Sequence, residues 1–543
     1  MPLSNLIQIA GGVDNIQRVL VGNDNSVALS LIERVDPTYL PAHLIHEKIQ
    51  QEWQLKSPQE CTLDKELLSK VGEAIATRYK SKLKTIAADK YSMRPAWHIS
   101  PPKGLLNDPN GFIFHQGQFH LFYQWSPFEC AHKDKFWAHL TSTDLIHWRW
   151  QEPSLIPSDW YDSHGAFSGH AISQGDELVL FYTGNSRIGP DRQRITTQCL
   201  AKSTNGMNFT KLGPVIDKIP SGITEHIRDP KVYYRNNQWH MLLGAQTDDL
   251  KGRLALYLSQ DLQNWQYKGL LGKELGDYGY MWECPDFFEL SGQAFVAFGP
   301  QGISAESEYD TNPHQNRLFT VNENEDGTFD FDQEWTLDYG FDFYAPQTVL
   351  TSDGRRVMIG WMGLPDDISH PTVDNGWIHQ LTAPRTLTYI DGNIVQMPVN
   401  ELDRLKSQPK SLQLDHRGID IDTKSYELTL SLESTCSLML MDDGLHRVKL
   451  KFNSEKQTFR FDRSQTFIAN QDVVREVVGV GEQITLTILA DNSSLEVFIN
   501  NGEKVMSGRV FTPQNATKIS LLGAKAEAII RTIEPATPPF PCE

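Results

Sequence analysis

The chain has 543 residues, 39% hydrophobic and 22% charged, with a net charge of −18. That length exceeds one ordinary core and implies two or three domains. The acidity excludes a nucleic-acid partner, whose phosphates need a basic footprint, but leaves a small anionic ligand open, because local cations outweigh charges screened beyond roughly 8 Å.

Residues 1–90 are expected to form a small, partly helical extension packed on the main domain. Asp64–Ala88 reads as an amphipathic helix, with Leu67, Val71, Ile75, Tyr79 and Leu83 at steps of four. Residues 1–60 hold short apolar runs such as Val27–Ile32 and suggest no function. The opening MPLSNLIQIAGGVDNIQ lacks the basic and apolar regions of a signal peptide, and no run reaches the roughly 18 apolar residues of a membrane span. The expected location is therefore the cytoplasm, with no membrane partner.

Residues 91–396 contain a repeat of roughly 55–62 residues. Its apolar strands are Gly117–Trp125, Asp176–Gly184, Asn237–Ala245, Gly292–Pro300 and Gly354–Met362. Each follows a polar signature: NDPNG at 107–111, FSGHA at 167–171, RDP at 228–230, ECPD at 283–286 and DFYAPQ at 342–347. A second echo, STDLIHW, STNGMNF and SQDLQNW, recurs in the same order. Units of this length, each a few strands, predict five blades around an axis. PVNELDRLKS then suggests a linker helix over 397–409. From 410 to 543, short alternating strands (426–432, 438–441, 446–452, 458–461, 484–489, 494–499 and 519–522) predict a β-sandwich. The fold class is all-β: a five-bladed β-propeller followed by a β-sandwich. Six scattered cysteines, without CxxC or CxH spacing, suggest neither a disulfide framework nor a zinc site.

Asp108 and Asp229 each precede a proline, which fixes the backbone and removes a competing N–H. A lone Asp-Pro is more often a turn, but here the dipeptide recurs in two repeats and Glu283-Cys284-Pro285 stands in a third. Carboxylates from three repeats would converge at the axis. Their repulsion should raise at least one pKa, giving the acid and carboxylate pair that cleaves glycosides. Metal binding is the competing use; Arg228 beside Asp229 and the lack of histidines at these positions argue against it. No cofactor or metal is expected.

The set Trp97-His-x-x-Pro101, NDPNG, FSGHA, RDP, ECPD, DFYAPQ, GWM and LTAPRTL resembles glycoside hydrolase family 32, the β-fructofuranosidases, from Trp97 to the C-terminus. The resemblance implies a five-bladed propeller followed by a sandwich. It makes Asp108 the nucleophile, Glu283 the acid/base and Asp229 the transition-state stabiliser, with retained configuration and a bell-shaped pH profile. Leu105, Leu106, Asn107, Gln124, Phe167, Ser168 and Arg228 would line the substrate. GLLNDPNGF, RDPKV, GYMWECPD and GWIHQLT resemble members that act on sucrose 6-phosphate, so the implied substrate is that sugar phosphate. Free sucrose or short fructans are the near alternative, and a non-catalytic sugar-binding propeller is the remote one. His132, Lys133, Lys135 and Arg192, with Arg187 and Arg194, are candidates for the phosphate; each could equally be a solvated charge. The sequence does not specify an oligomeric state.

Overall fold

The structure, a computed structural model, describes residues 1–22, 24–57, 60–87, 93–304, 312–468 and 472–536. The expected boundary at residues 90/91, Ala88 of the expected helix and Cys542 lie outside these. Among the described residues no helix is long and apolar enough to cross a membrane.

The N-terminal region is more than a helix. Val27–Leu31, buried along its whole length, pairs with Ile16–Val21 on one side and Glu52–Lys56 on the other, and Ile45–Ile49 completes a four-stranded antiparallel sheet. The helix Lys65–Leu83 starts where the Asp64 carboxylate accepts the Leu67 N–H at 3.1 Å. A strict step of four drifts around a helix of 3.6 residues per turn. Leu68, Val71 and Ile75 therefore face the sheet, while Leu83 turns onto the next domain's core. The region is fastened to that domain. Arg18 donates to Glu52 Oε1 (3.1 Å), to Asp134 Oδ2 (2.6 Å) and to the Ser163 carbonyl. Gly72 passes so close to Asp159 that a Cβ would lie 2.8 Å from its carboxylate.

Five antiparallel sheets follow, over 104–155, 166–216, 223–271, 281–336 and 344–398, each beginning with four strands in simple sequence order except the last, where the short strand Gln380–Leu381 and the strand Arg385–Ile390 both pair with Arg356–Met362. Their first strands, Gly104–His115, Ala166–Gln174, Ile223–Arg235, Met281–Leu290 and Tyr344–Leu350, touch one another in a closed ring. Trp377–Ile378 pairs in parallel with Gly104 and Leu105, tying the last sheet to the first. The cores lie between neighbouring sheets, as their alternating apolar faces require. Lys231 crosses the axis to Asp286 Oδ1 (2.6 Å) and His170 Nε2 (2.8 Å). The trailing residues of three signatures thus plug the ring, leaving the leading ones for the site.

The expected linker helix is a 3-10 turn, Asn400–Leu405. Two six-stranded sheets then pack face to face. Arg385, fully buried, donates to Asp338 Oδ2 (3.0 Å) and Glu496 Oε2 (2.6 Å). His98 sits between Asp491 (2.8 Å) and Glu496 (2.9 Å), and burial alone would discharge it, but those two carboxylates hold its pKa above the ordinary value. Buried charges are tolerable only when paired. Here the pairs join residues of the five-sheet region to the sandwich, so the two are fixed to each other.

Candidate active site

Each signature sits at a β-bulge. Pairing with the neighbouring strand slips at Leu106/Pro109, opposite Phe167 and Ser168, at Arg228/Lys231, at Glu283/Asp286 and at Tyr344/Gln347. A bulge turns side chains out of the regular alternation, which is how five strands aim polar groups at one point. Asp229, Cys284 and Ala345 hold left-handed backbones (φ 64°, 48° and 47°). They occupy the middle of the tripeptides RDP, ECP and YAP, each followed by a proline, which disfavours a helical backbone before it.

That register corrects one expectation. Cys284, not Glu283, matches Asp229; Glu283 matches Arg228 and Tyr344, one residue earlier. The structure groups them accordingly. Cys284 Sγ lies 3.6 Å from both Asp108 Oδ2 and Asp229 Oδ2, and its N–H donates to Asp229 Oδ2 at 3.0 Å. Burial and the adjacent carboxylates push the thiol well above its usual pKa, so it remains a neutral donor shared by two acids. Glu283 Oε1 accepts Arg228 (2.6 Å), while Oε2 accepts Gln301 (2.6 Å) and the Tyr344 hydroxyl (2.9 Å). Arg228 therefore pairs with Glu283 rather than with its sequence neighbour Asp229, 4.0 Å away.

Asp108 ends a chain of donors. Lys135 Nζ donates to Asn107 Oδ1 (2.6 Å), Asn107 Nδ2 to Gln124 Oε1 (3.0 Å), Gln124 to Ser168 Oγ, and Ser168 Oγ to Asp108 Oδ2 (2.5 Å). Such chains polarise one another and fix each amide's orientation. Burial raises the pKa of Asp108; the Ser168 hydrogen bond opposes the rise and the charge of Glu283 adds to it. Burial also raises Asp229, to about 7, with Arg228 pulling down and Glu283 and Asp108 pushing up. The three acids face a cavity of about 870 Å³, within the range of small-molecule sites.

Asn107, Gln124, Phe167 and Arg228 line this cavity, and Ser168 lies just behind Asp108. Leu105 and Leu106 do not line it. Both precede the bulge, in regular pairing with Ser126 and Trp125, and are fully buried, Leu106 in the apolar core. The phosphate candidates separate. Lys135 is buried against Asn107, and burial brings its pKa to about 7. His132 is open to the cavity, but the surrounding walls and Lys135 lower it to about 2, so it is neutral at pH 7. Lys133 pairs with Glu129 at the rim (3.2 Å), and Arg192 lines the opposite wall with Arg187 and Arg194.

Sequence reasoning did not single out Gln301 or Tyr344 as site residues. Their signals were the repeated GAQ/GPQ endings at Gln246 and Gln301, and the shared tripeptide that places Tyr344 with Arg228 and Glu283. Gln17, Arg18, Gln50, Gln51 and Glu52 of the N-terminal sheet also line the cavity, with no local signal.

The family model for the glycosyl hydrolases family 32 N-terminal domain matches residues 98–398, and that for the family 32 C terminal matches residues 397–535. A Vibrio cholerae protein named probable sucrose-6-phosphate hydrolase is 51% identical over all of this chain and 99% of its own length. The structure of sucrose-6-phosphate hydrolase from Lactobacillus gasseri superposes with a TM-score of 0.78 at 31% identity, covering 85% of this chain and 97% of that one. A Bombyx mori family 32 β-fructofuranosidase, a mutant solved in complex with sucrose, gives 0.76 at 31% identity over 88% of this chain and all of its own.

Proposed function

The chain belongs to glycosyl hydrolases family 32, the β-fructofuranosidases, and from that premise we propose that it cleaves sucrose 6-phosphate to glucose 6-phosphate and fructose with retention. The five ringed sheets are read as blades of a propeller spanning about 91–396, with 1–90 an extension, 397–409 a linker and 410–543 the sandwich. The observation that carries the reading is the Cys284 thiol and amide bridging Asp108 and Asp229, with Glu283 on the adjoining residue. Asp108 attacks the anomeric carbon. Glu283 gives its proton to the glycosidic oxygen, then takes one from water. Asp229 holds fructose hydroxyls, a grip that tightens as positive charge develops on the ring. Retention calls for roughly 5–5.5 Å between the Asp108 and Glu283 carboxyls when substrate is bound. A phosphorylated sugar is met inside the cell, which supports a cytoplasmic site of action.

The phosphate claim is tested by kcat/KM for sucrose 6-phosphate and for sucrose. Charge-assisted hydrogen bonds to a phosphate favour the former by about tenfold or more. Parity, or a preference for sucrose, defeats it.

The nucleophile's environment gives a second test. The Ser168 hydroxyl favours ionised Asp108, so Ser168→Ala raises the Asp108 pKa further. The acidic limb of the pH profile of kcat/KM then moves to higher pH. A limb that stays put or moves down rules out Asp108 as the group that must ionise.

A further inference from the structure

Arg187, Arg192 and Arg194 lie on one hairpin, Glu177–Ile188 followed by Gln193–Ser203, at the cavity wall. None has a carboxylate partner within 4.0 Å among the described residues. Burial and the neighbouring guanidiniums lower Arg187, and Arg194 falls to about 9 through burial, Arg228 and Arg187. Burial, with Arg18 of the N-terminal sheet and with Arg192 and Arg187, brings His164 at the cavity to about 2. This wall carries three guanidiniums with no direct carboxylate partner, although Glu283 and Asp229 act on Arg194 from across the site, and guanidiniums so placed suit an anion.

Another part of the cavity lining belongs to the N-terminal sheet. Its hairpin Ile45–Ile49 and Glu52–Lys56 turns on two exposed residues, Gln50 and Gln51. Gln50 is left-handed (φ 55°), a conformation for which such a turn ordinarily selects asparagine or glycine. Arg192 is left-handed as well (φ 52°), and its Nη1 reaches Gln50 Oε1 at 3.4 Å. The side chains of two residues with left-handed backbones therefore meet at the mouth of the site, and backbone strain held at a cavity points to use. Arg18 keeps the hairpin in place, since it holds both Glu52, next to the turn, and Asp134 in the cavity lining.

We propose that Gln50 and Gln51 complete, with Arg187 and Arg192, a phosphate subsite at the leaving-group end of the cavity, so that the N-terminal module recognises the 6-phosphate of the glucosyl unit. This rests on the substrate reading above. A dianion with three acceptor oxygens needs several donors. An amide suits the position because its oxygen accepts from Arg192 while its NH2 can donate to phosphate. A carboxylate would quench Arg192 permanently.

The test compares the ratio of kcat/KM for sucrose 6-phosphate to that for sucrose in the full-length wild type, Gln50→Gly, Gln50→Glu and Gln50→Ala/Gln51→Ala. It also compares inhibition by glucose 6-phosphate with inhibition by glucose. Gln50→Gly relieves the left-handed strain and so folds at least as stably, which removes misfolding as an explanation. The ratio should fall about tenfold in the double variant and further in Gln50→Glu, with a matching loss of glucose 6-phosphate inhibition. A wild type without preference for the phosphorylated sugar sinks the substrate reading itself. A wild-type preference that survives in all three variants overturns this inference alone.

Discussion

Asp108→Asn lowers kcat on sucrose 6-phosphate by about 10⁴-fold or more, because an amide of the same shape keeps the Ser168 and Cys284 contacts but cannot attack the anomeric carbon. The same change should leave the protein as stable or more so. The Asp108 pKa is raised in the fold, mainly by burial. The folded state therefore binds this proton more tightly than the unfolded chain, and the site loses stability as pH climbs from the unfolded carboxylate value of about 4 through the folded one. Asparagine carries no such charge. The Tm of Asp108→Asn should exceed that of the wild type at pH 7, and the difference should vanish below pH 4. Near-normal turnover would reduce the acids to hydrogen-bond acceptors of a sugar-binding protein. A lower Tm at pH 7 would mean that the carboxylate is a structural partner rather than a strained nucleophile.

Such a strained group was only half visible in the sequence. The repeats mark five strands because apolar alternation and turn residues impose a period, and prolines mark the bulges because they forbid a ladder hydrogen bond. Convergence of Asp108, Asp229 and Glu283 was readable on those terms. Which neighbour each acid keeps was not, because a bulge changes the alternation locally: Arg228 faces Glu283, 55 residues away, instead of Asp229. The resemblance put Leu105 and Leu106 against the substrate, yet both are buried away from the cavity. Lys135 read equally as a phosphate contact or a solvated cation, yet it is buried at the head of the donor chain to Asp108. Gln50 carries no signal at all; its place depends on how an independent sheet docks, and docking is written in scattered contacts such as Gly72 against Asp159.

Glu283→Gln gives the second large effect and separates proton transfer from positioning. Glutamine can still meet Tyr344 and Gln301, but it can neither protonate the leaving oxygen nor activate water, so kcat falls by about 10³-fold or more. A β-fructofuranosyl fluoride, whose leaving group needs no proton, should still fructosylate Asp108, so that hydrolysis of the intermediate becomes the slow step. Azide, a nucleophile that needs no base, should then restore turnover and give the β-fructosyl azide, the product of two inversions. The pH profile supplies an independent sign. In the productive form Glu283 carries its proton and is neutral, as glutamine is, so the acidic limb of the residual activity stays where the wild type has it, while the basic limb disappears. A variant that merely misplaced the substrate would lose rate with both limbs unmoved and would gain nothing from azide.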